Sequence, residues 1–178
     1  MIELEFRSMF SKEKYDSLKA FLNEKAECLG QDDKACAYFI FPDRLLKVVH
    51  NISKGDAKVS LKLNRIGEGA AFDEMEFHFA EEDFELAKKL FGNLQLNVKY
   101  LEESQQRINY IYKDYEIALK YGKTWGYHLE IEKMIADLGE QEQAEQDIRA
   151  VSDELGITLM TDEELTRFVR KIESNLAK

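Results

Sequence analysis

Stretch after stretch of this chain alternates charged with apolar side chains at a period of two, and few folds accommodate that. Successive side chains of a strand point to opposite faces. Glu3, Glu5 and Arg7 therefore share one face and Leu4 and Phe6 the other, while His128, Glu130 and Glu132 stand opposite Leu129 and Ile131. Lys58, Ser60 and Lys62 alternate with Val59, Leu61 and Leu63, and Glu74, Glu76 and His78 share a face of 72–79. Either an open antiparallel sheet with one wet face or a closed or nearly closed antiparallel β-barrel with a polar interior explains the pattern. Pattern alone does not choose between them. If the polar faces enclose one space, Glu3, Glu5, Glu130 and Glu132 converge with only Arg7 in their own strands to neutralise them. A divalent metal would relieve that repulsion.

The remaining segments fit an α+β chain. Residues 2–10 read as a strand, and Ser11 can cap a helix running to about Leu29 with Tyr15, Leu18 and Leu22 on its apolar face and Gly30 as its stop. Strands are predicted for 36–41, 44–51, 58–64, 72–79, 94–98 (weak), 105–112, 115–121 and 127–134, with a helix over 81–92. The sheet part ends near Gly139, giving a barrel domain over 1–139 with two inserted helices. Ala144, Ile148, Val151 and Leu155 then recur at helical spacing, and Thr161-Asp162-Glu163-Glu164 forms a capping-box pattern ahead of Leu165, Phe168, Val169, Ile172 and Leu176. Helices over 140–178 are expected to pack on the barrel as part of the same domain.

A chain of 178 residues with a net charge of -10 suits one domain and opposes binding to a nucleic-acid polymer, whose phosphates seek a basic excess. No apolar run approaches the length of a membrane span, and the N-terminus lacks signal-peptide regions, so the expectation is a cytoplasmic protein with no membrane association. Cys28 and Cys36 are expected to be free.

The sequence resembles the CYTH-domain proteins of the triphosphate tunnel metalloenzyme superfamily, which includes class IV adenylyl cyclases, thiamine triphosphatases and inorganic triphosphatases. Glu3-Leu4-Glu5-Phe6-Arg7 matches the N-terminal Glu-x-Glu-x-Lys strand with Arg in place of Lys, and Glu130-Ile131-Glu132 matches the later acidic strand. Arg44 to Lys47, Lys58 to Lys62, Glu74-Met75-Glu76 and Gln105-Gln106-Arg107 resemble the strands between them. Order and approximate spacing agree over residues 1–135. The chain departs from the pattern at Arg7, at Gln105 and Val49 where basic residues are common, and at Lys120, which stands about where the family often places a metal-binding Asp.

The resemblance implies a tunnel barrel that grips a small-molecule triphosphate, with Mg²⁺ or Mn²⁺ held by carboxylate oxygens. The implied metal ligands are Glu3, Glu5, Glu130 and Glu132, with Glu74 and Glu76 in second rank as ligands or as partners of the basic residues. Arg7, Arg44, Lys47, Lys58, Lys62, Arg107 and Lys120 are the implied phosphate donors, and Arg7 and Glu130 the implied catalytic pair. Lys120 would weaken metal affinity and add a phosphate donor. Hydrolysis of inorganic triphosphate or a small organic triphosphate is the leading activity. Cyclic AMP synthesis from ATP and non-catalytic polyphosphate or nucleotide binding are the alternatives, for a monomer or homodimer. Each assignment has a plainer rival. A Glu-x-Glu pair is ordinarily a solvated strand face, His78 and His128 fit wall residues better than ligands, and Tyr110, Tyr112, Tyr115 and Tyr121 fit packing better than base stacking.

Overall fold

A computed structural model describes residues 2–67, 69–72 and 74–176. In chain order the elements are β1 (Ile2–Met9), α1 (Lys12–Lys25), β2 (Glu27–Gln31), β3 (Lys34–Ile40), β4 (Leu45–Asn51), β5 (Asp56–Lys62), β6 (Ala71–Phe72), β7 (Glu74–Ala80), α2 (Phe84–Asn93), β8 (Lys99–Tyr112), β9 (Tyr115–Gly122), β10 (Gly126–Ile135), α3 (Gln141–Glu154) and α4 (Asp162–Ser174). The strands form one antiparallel sheet in the order β6-β1-β10-β9-β8-β3-β4-β5-β7, with β2 added on β8.

The two ends of that order are neighbours in the chain. The backbone leaves the edge of β1 with β6 and joins the edge of β5 with β7, so the sheet curls into a nearly closed barrel. Side chains complete the closure, because Lys62 Nζ on β5 reaches Glu3 and Glu5 on β1 at 3.1 and 2.8 Å. Of the two architectures that the alternation allowed, the barrel is the one adopted.

The period of two sorts the side chains as the alternation requires. Leu4, Leu129, Ile131, Ile117, Leu119 and Tyr110 point outward into a core completed by Tyr15, Leu18 and Leu22 of α1 and Ala144, Ile148 and Val151 of α3. A second outer cluster joins Ala37, Phe39, Leu46 and Val48 to Phe84 of α2. Both clusters lie outside the barrel, so apolar burial holds the wall while its inner face remains polar.

Two expectations need correction. The first helix ends at Lys25 rather than near Leu29, and Gly30, with φ +97°, sits at a register shift in β2. That glycine marks a bulge in a strand the sequence reading missed, since a left-handed residue serves a β-bulge as well as a helix stop. Residues 94–98 form no strand, and β8 instead begins at Lys99. The C-terminal helices also differ from each other in role. Helix α3 lies on β1 and β10, whereas α4, started by the Thr161–Glu164 capping box, places Val169, Ile172 and Glu173 on the cavity inside the barrel. No helix among the described residues is long and apolar enough to cross a membrane.

Candidate triphosphate tunnel

Register brings the charged pairs together. Antiparallel pairing of β1 with β10 sets Glu5 opposite Glu132 and Arg7 opposite Glu130, and β9 adds Lys120 beside His128 on one side and Arg107 of β8 on the other. Inward residues of β3, β4, β5 and β7 complete a cavity of about 230 Å³. Of the expected site residues, Glu3, Glu5, Arg7, Arg44, Lys47, Lys58, Lys62, Glu74, Glu76, Arg107, Lys120, Glu130 and Glu132 all line it.

They are not equivalent. Arg44 sits on the turn before β4, 45% exposed, and bonds the neighbouring Asp43 at 2.9 and 2.5 Å, so it is a rim residue. Lys58 pairs closely with Glu76. Lys47 lies 3.3 Å from Glu74, whose other oxygen is 3.5 Å from Lys62. Burial would raise the Glu74 carboxyl, but Lys47, Lys62 and a hydrogen bond from Ser60 bring it down to about 2. Glu74 and Glu76 therefore act as partners that hold the lysines.

Glu130 lies at the centre of the cationic cluster. Its Oε1 accepts from Arg7 Nε at 3.0 Å and its Oε2 contacts Lys120 Nζ closely. Burial pushes its carboxyl up, yet Lys120, Arg7 and Arg107 overcome that and hold it well below the ordinary carboxylate range. Burial and the nearby Arg107 in turn lower Lys120 to about 8. The neighbouring Glu132 behaves differently: burial raises it against the pull of Arg107 and Lys120. Glu3, Glu5 and Glu132 can each offer one oxygen, all three within 4.8 Å of one another. Glu5 Oε1 is buried and accepts no hydrogen bond, although the Arg7 guanidinium lies in ion-pair contact with it. An all-carboxylate trio suits a hard divalent ion such as Mg²⁺ or Mn²⁺.

Lys34, Arg65 and Glu173 are tunnel residues that the sequence did not single out. Lys34 lines the cavity, and burial with the nearby Arg107 charge lowers it to about 8. Arg107 is held by Asn109 at 2.6 Å and by Glu116 and Glu132 at 3.3 and 3.4 Å, with Asp32 at 3.5 Å. Burial opposes the charge of Arg107, but Glu132, Glu130 and Asp32 raise its pKa further. Tyr38 OH accepts from Gln105 Nε2 at 2.9 Å, so the amide that replaces a basic residue braces the wall. At one end Trp125, Arg65 and Glu173 join the lining; Arg65 pairs closely with Glu173, and Phe168 of α4 packs 5.1 Å from Trp125.

The histidines take wall positions. His128 donates from Nδ1 to the Gly126 carbonyl at 3.0 Å, and burial lowers it to about 4, leaving a neutral ring in the lining. His78 is outside the cavity and pairs with Asp56 at 3.3 Å. Tyr110 and Tyr115 belong to the outer core, and Tyr121 stacks on Tyr127 at 4.4 Å, so the tyrosines pack rather than face the tunnel. Cys28 and Cys36 are free thiols.

An acidic chain has thus concentrated buried Lys and Arg around one enclosed space inside an antiparallel barrel. The fold is the CYTH-like barrel. A protein from Pyrococcus horikoshii shares it at a TM-score of 0.72 and 23% identity, over 92% of this chain and 99% of that one. A candidate adenylate cyclase from Vibrio parahaemolyticus matches at 0.66 and 12% identity over 92% of both chains. A candidate adenylyl cyclase from Hippeastrum, described as having a dominant triphosphatase activity, matches at 0.61 and 15% identity over 89% of both. No protein-family model and no curated protein sequence matches the chain.

Proposed function

We propose that the protein is a divalent-metal-dependent hydrolase of inorganic triphosphate or a small organic triphosphate. The observation that carries this reading is the convergence of Arg7, Lys34, Lys47, Lys62, Arg107 and Lys120 on one cavity beside the carboxylates Glu3, Glu5 and Glu132. Phosphoanhydride transfer asks a protein mainly for positioning and charge stabilisation. Arg7 and Arg107 can each grip two phosphate oxygens in a planar fork, while the lysines act as movable point charges. Arg7, Arg107, Lys47 and Lys62 rest on Glu130, Glu132, Glu74 and Glu5, so an entering polyphosphate would exchange one set of anionic partners for another. A bound Mg²⁺ or Mn²⁺ would neutralise charge on the phosphates and lower the pKa of an attacking water. Glu3, Glu5 and Glu132 would hold it.

Cavity size favours the smaller substrates. Pockets for organic ligands run from ~300 Å³ upward, and this one measures about 230 Å³ with α4 across one end. A cyclase must also house a nucleoside, which makes that alternative second to a triphosphatase. One observation favours a binding module instead: Glu130 is fully engaged by Arg7 and Lys120, which spends an acidic group on internal pairing. The three readings separate by ³¹P NMR of tripolyphosphate and of ATP incubated with protein and Mg²⁺ or Mn²⁺. Orthophosphate release marks the hydrolase, pyrophosphate with cyclic AMP the cyclase, and line broadening without products the binding module. Unchanged, unbroadened spectra would sink all three.

A further inference from the structure

The carboxylates contributed by β1 and β10 divide into a group of three and a fourth that stands apart. Glu3, Glu5 and Glu132 can each bring an oxygen within 4.8 Å of the other two. Glu130 stands outside that group, with Oε1 accepting from Arg7 Nε at 3.0 Å and Oε2 in close contact with Lys120 Nζ; Glu5 is also paired, to Arg7 and Lys62, but keeps an oxygen within reach of Glu3 and Glu132. Lys120 is itself buried, 5% exposed, with Arg107 and His128 as its cross-strand neighbours. A divalent ion seated at Glu130 would meet an ammonium and a guanidinium at ion-pair distance, and like charges that close, away from bulk water, repel strongly.

We infer that Lys120 Nζ is a built-in cation of the tunnel, so that one divalent ion binds per chain, at Glu3, Glu5 and Glu132, and Lys120 neutralises phosphate charge at the Glu130 position. The inference rests on the triphosphate reading above. A tethered ammonium differs from a metal ion in what it offers. It has no coordination site for an attacking water and does not lower that water's pKa as a metal ion does, but it is covalently part of the wall and can pivot from the carboxylate onto a phosphate oxygen. The wall then offers one polyphosphate chain two unlike cations, a metal ion between β1 and β10 and an ammonium on β9.

The test counts ions rather than turnover. Protein is first titrated with the non-hydrolysable bis-imido analogue of tripolyphosphate in EDTA. The saturated complex is then titrated with Mn²⁺, free Mn²⁺ being followed by its EPR signal. The expected result is saturable analogue binding and one Mn²⁺ per chain. Lys120→Asp is expected to bind two, and Lys120→Arg, which keeps the charge, one. In Lys120→Met, analogue affinity in EDTA is expected to fall about tenfold or more. Two ions on the wild-type protein, none, or an unchanged count in a folded Lys120→Asp would overturn the inference. Should Lys120→Asp fail to fold, the wild-type count and Lys120→Arg still decide. Absence of analogue binding in EDTA would overturn the triphosphate reading itself, whereas analogue binding with two ions would overturn only the role given to Lys120.

Discussion

Lys62 of β5 and Glu5 of β1 form a buried ion pair at 2.8 Å across the seam where the sheet closes, and Lys62 reaches Glu3 as well, at 3.1 Å. The same carboxylates belong to the trio suited to a metal ion. A metal ion bound there would therefore compete with Lys62 until an anion drew the lysine away. Metal and polyphosphate should bind with positive coupling, about 5–150-fold by the usual size of such linkages. Calorimetry of Mn²⁺ binding with and without the imido analogue measures it. Lys62→Met should tighten Mn²⁺ binding to the empty protein and shrink the coupling; equal coupling in both proteins would show that Lys62 does not gate the site.

Glu130→Gln keeps the shape of the side chain but leaves Lys120 and Arg7 short of an anionic partner inside the wall. Removing one member of a buried ion pair costs about 3–5 kcal/mol. Thermal unfolding should show the loss, and tripolyphosphate should restore more stability to the variant than it adds to the wild type, since it supplies the missing negative charge. A variant as stable as the wild type would mean that water already solvates this cluster.

Lys34 and Lys120 are both lowered to about 8 by burial and by the nearby Arg107. Each lysine grips an anion only while protonated. Affinity for tripolyphosphate should therefore be fully present below pH 8 and decline above it. Bound phosphate favours the charged lysines and raises their pKa, so binding takes up protons, and the decline that begins near pH 8 continues until the raised value of the complex is passed. A loss of about tenfold between pH 7 and pH 9.5 is expected from one weakened charged hydrogen bond. Lys34→Arg should flatten part of that slope in calorimetric titrations, and an identical slope would remove Lys34 from the anion site.

The wall was legible in the sequence because each strand carries its own period of two. Glu3, Glu5, Glu130 and Glu132, and Lys58 to Lys62, could be assigned to one polar face without knowing what that face enclosed. Lys34 was hidden because its strand continues through Cys36, Tyr38 and Ile40, inward residues that look like core. Nothing in Lys-Ala-Cys-Ala-Tyr-Phe-Ile separates a tunnel face from a packed one. Asp32, Asn109 and Glu116 were invisible for another reason. They act through Arg107 across strands β8 and β9 and the segment before β3, and that proximity exists only once the register is set. Gly30 misled because a glycine after an amphipathic stretch marks a helix stop and a strand bulge equally well.

Helix α4 depends on one tight approach. Gly67 has φ +92°, and a Cβ there would overlap Thr166 Oγ1 and come within 2.9 Å of the Thr166 backbone nitrogen. Thr166 Oγ1 also donates to the Gly67 carbonyl at 3.0 Å. Gly67→Ala is predicted to destabilise the protein by about 1–3 kcal/mol through strain and displaced packing. It should raise hydrogen exchange in α4 before it does so in β1 or β10. Uniform protection across α4 in that variant would show that the helix is held by Trp125 and Arg65 alone.

If the barrel interior is an anion site for a short polyphosphate, it should hold that anion without metal. Isothermal titration of tripolyphosphate into metal-free protein at pH 7, repeated at rising salt, tests it most directly. Saturable binding of one tripolyphosphate per chain is expected, weakening as salt screens the lysines and arginines, and lost when Arg107→Met and Lys47→Met are combined. Absence of saturable heat at low salt, or binding untouched by that double substitution, would contradict it.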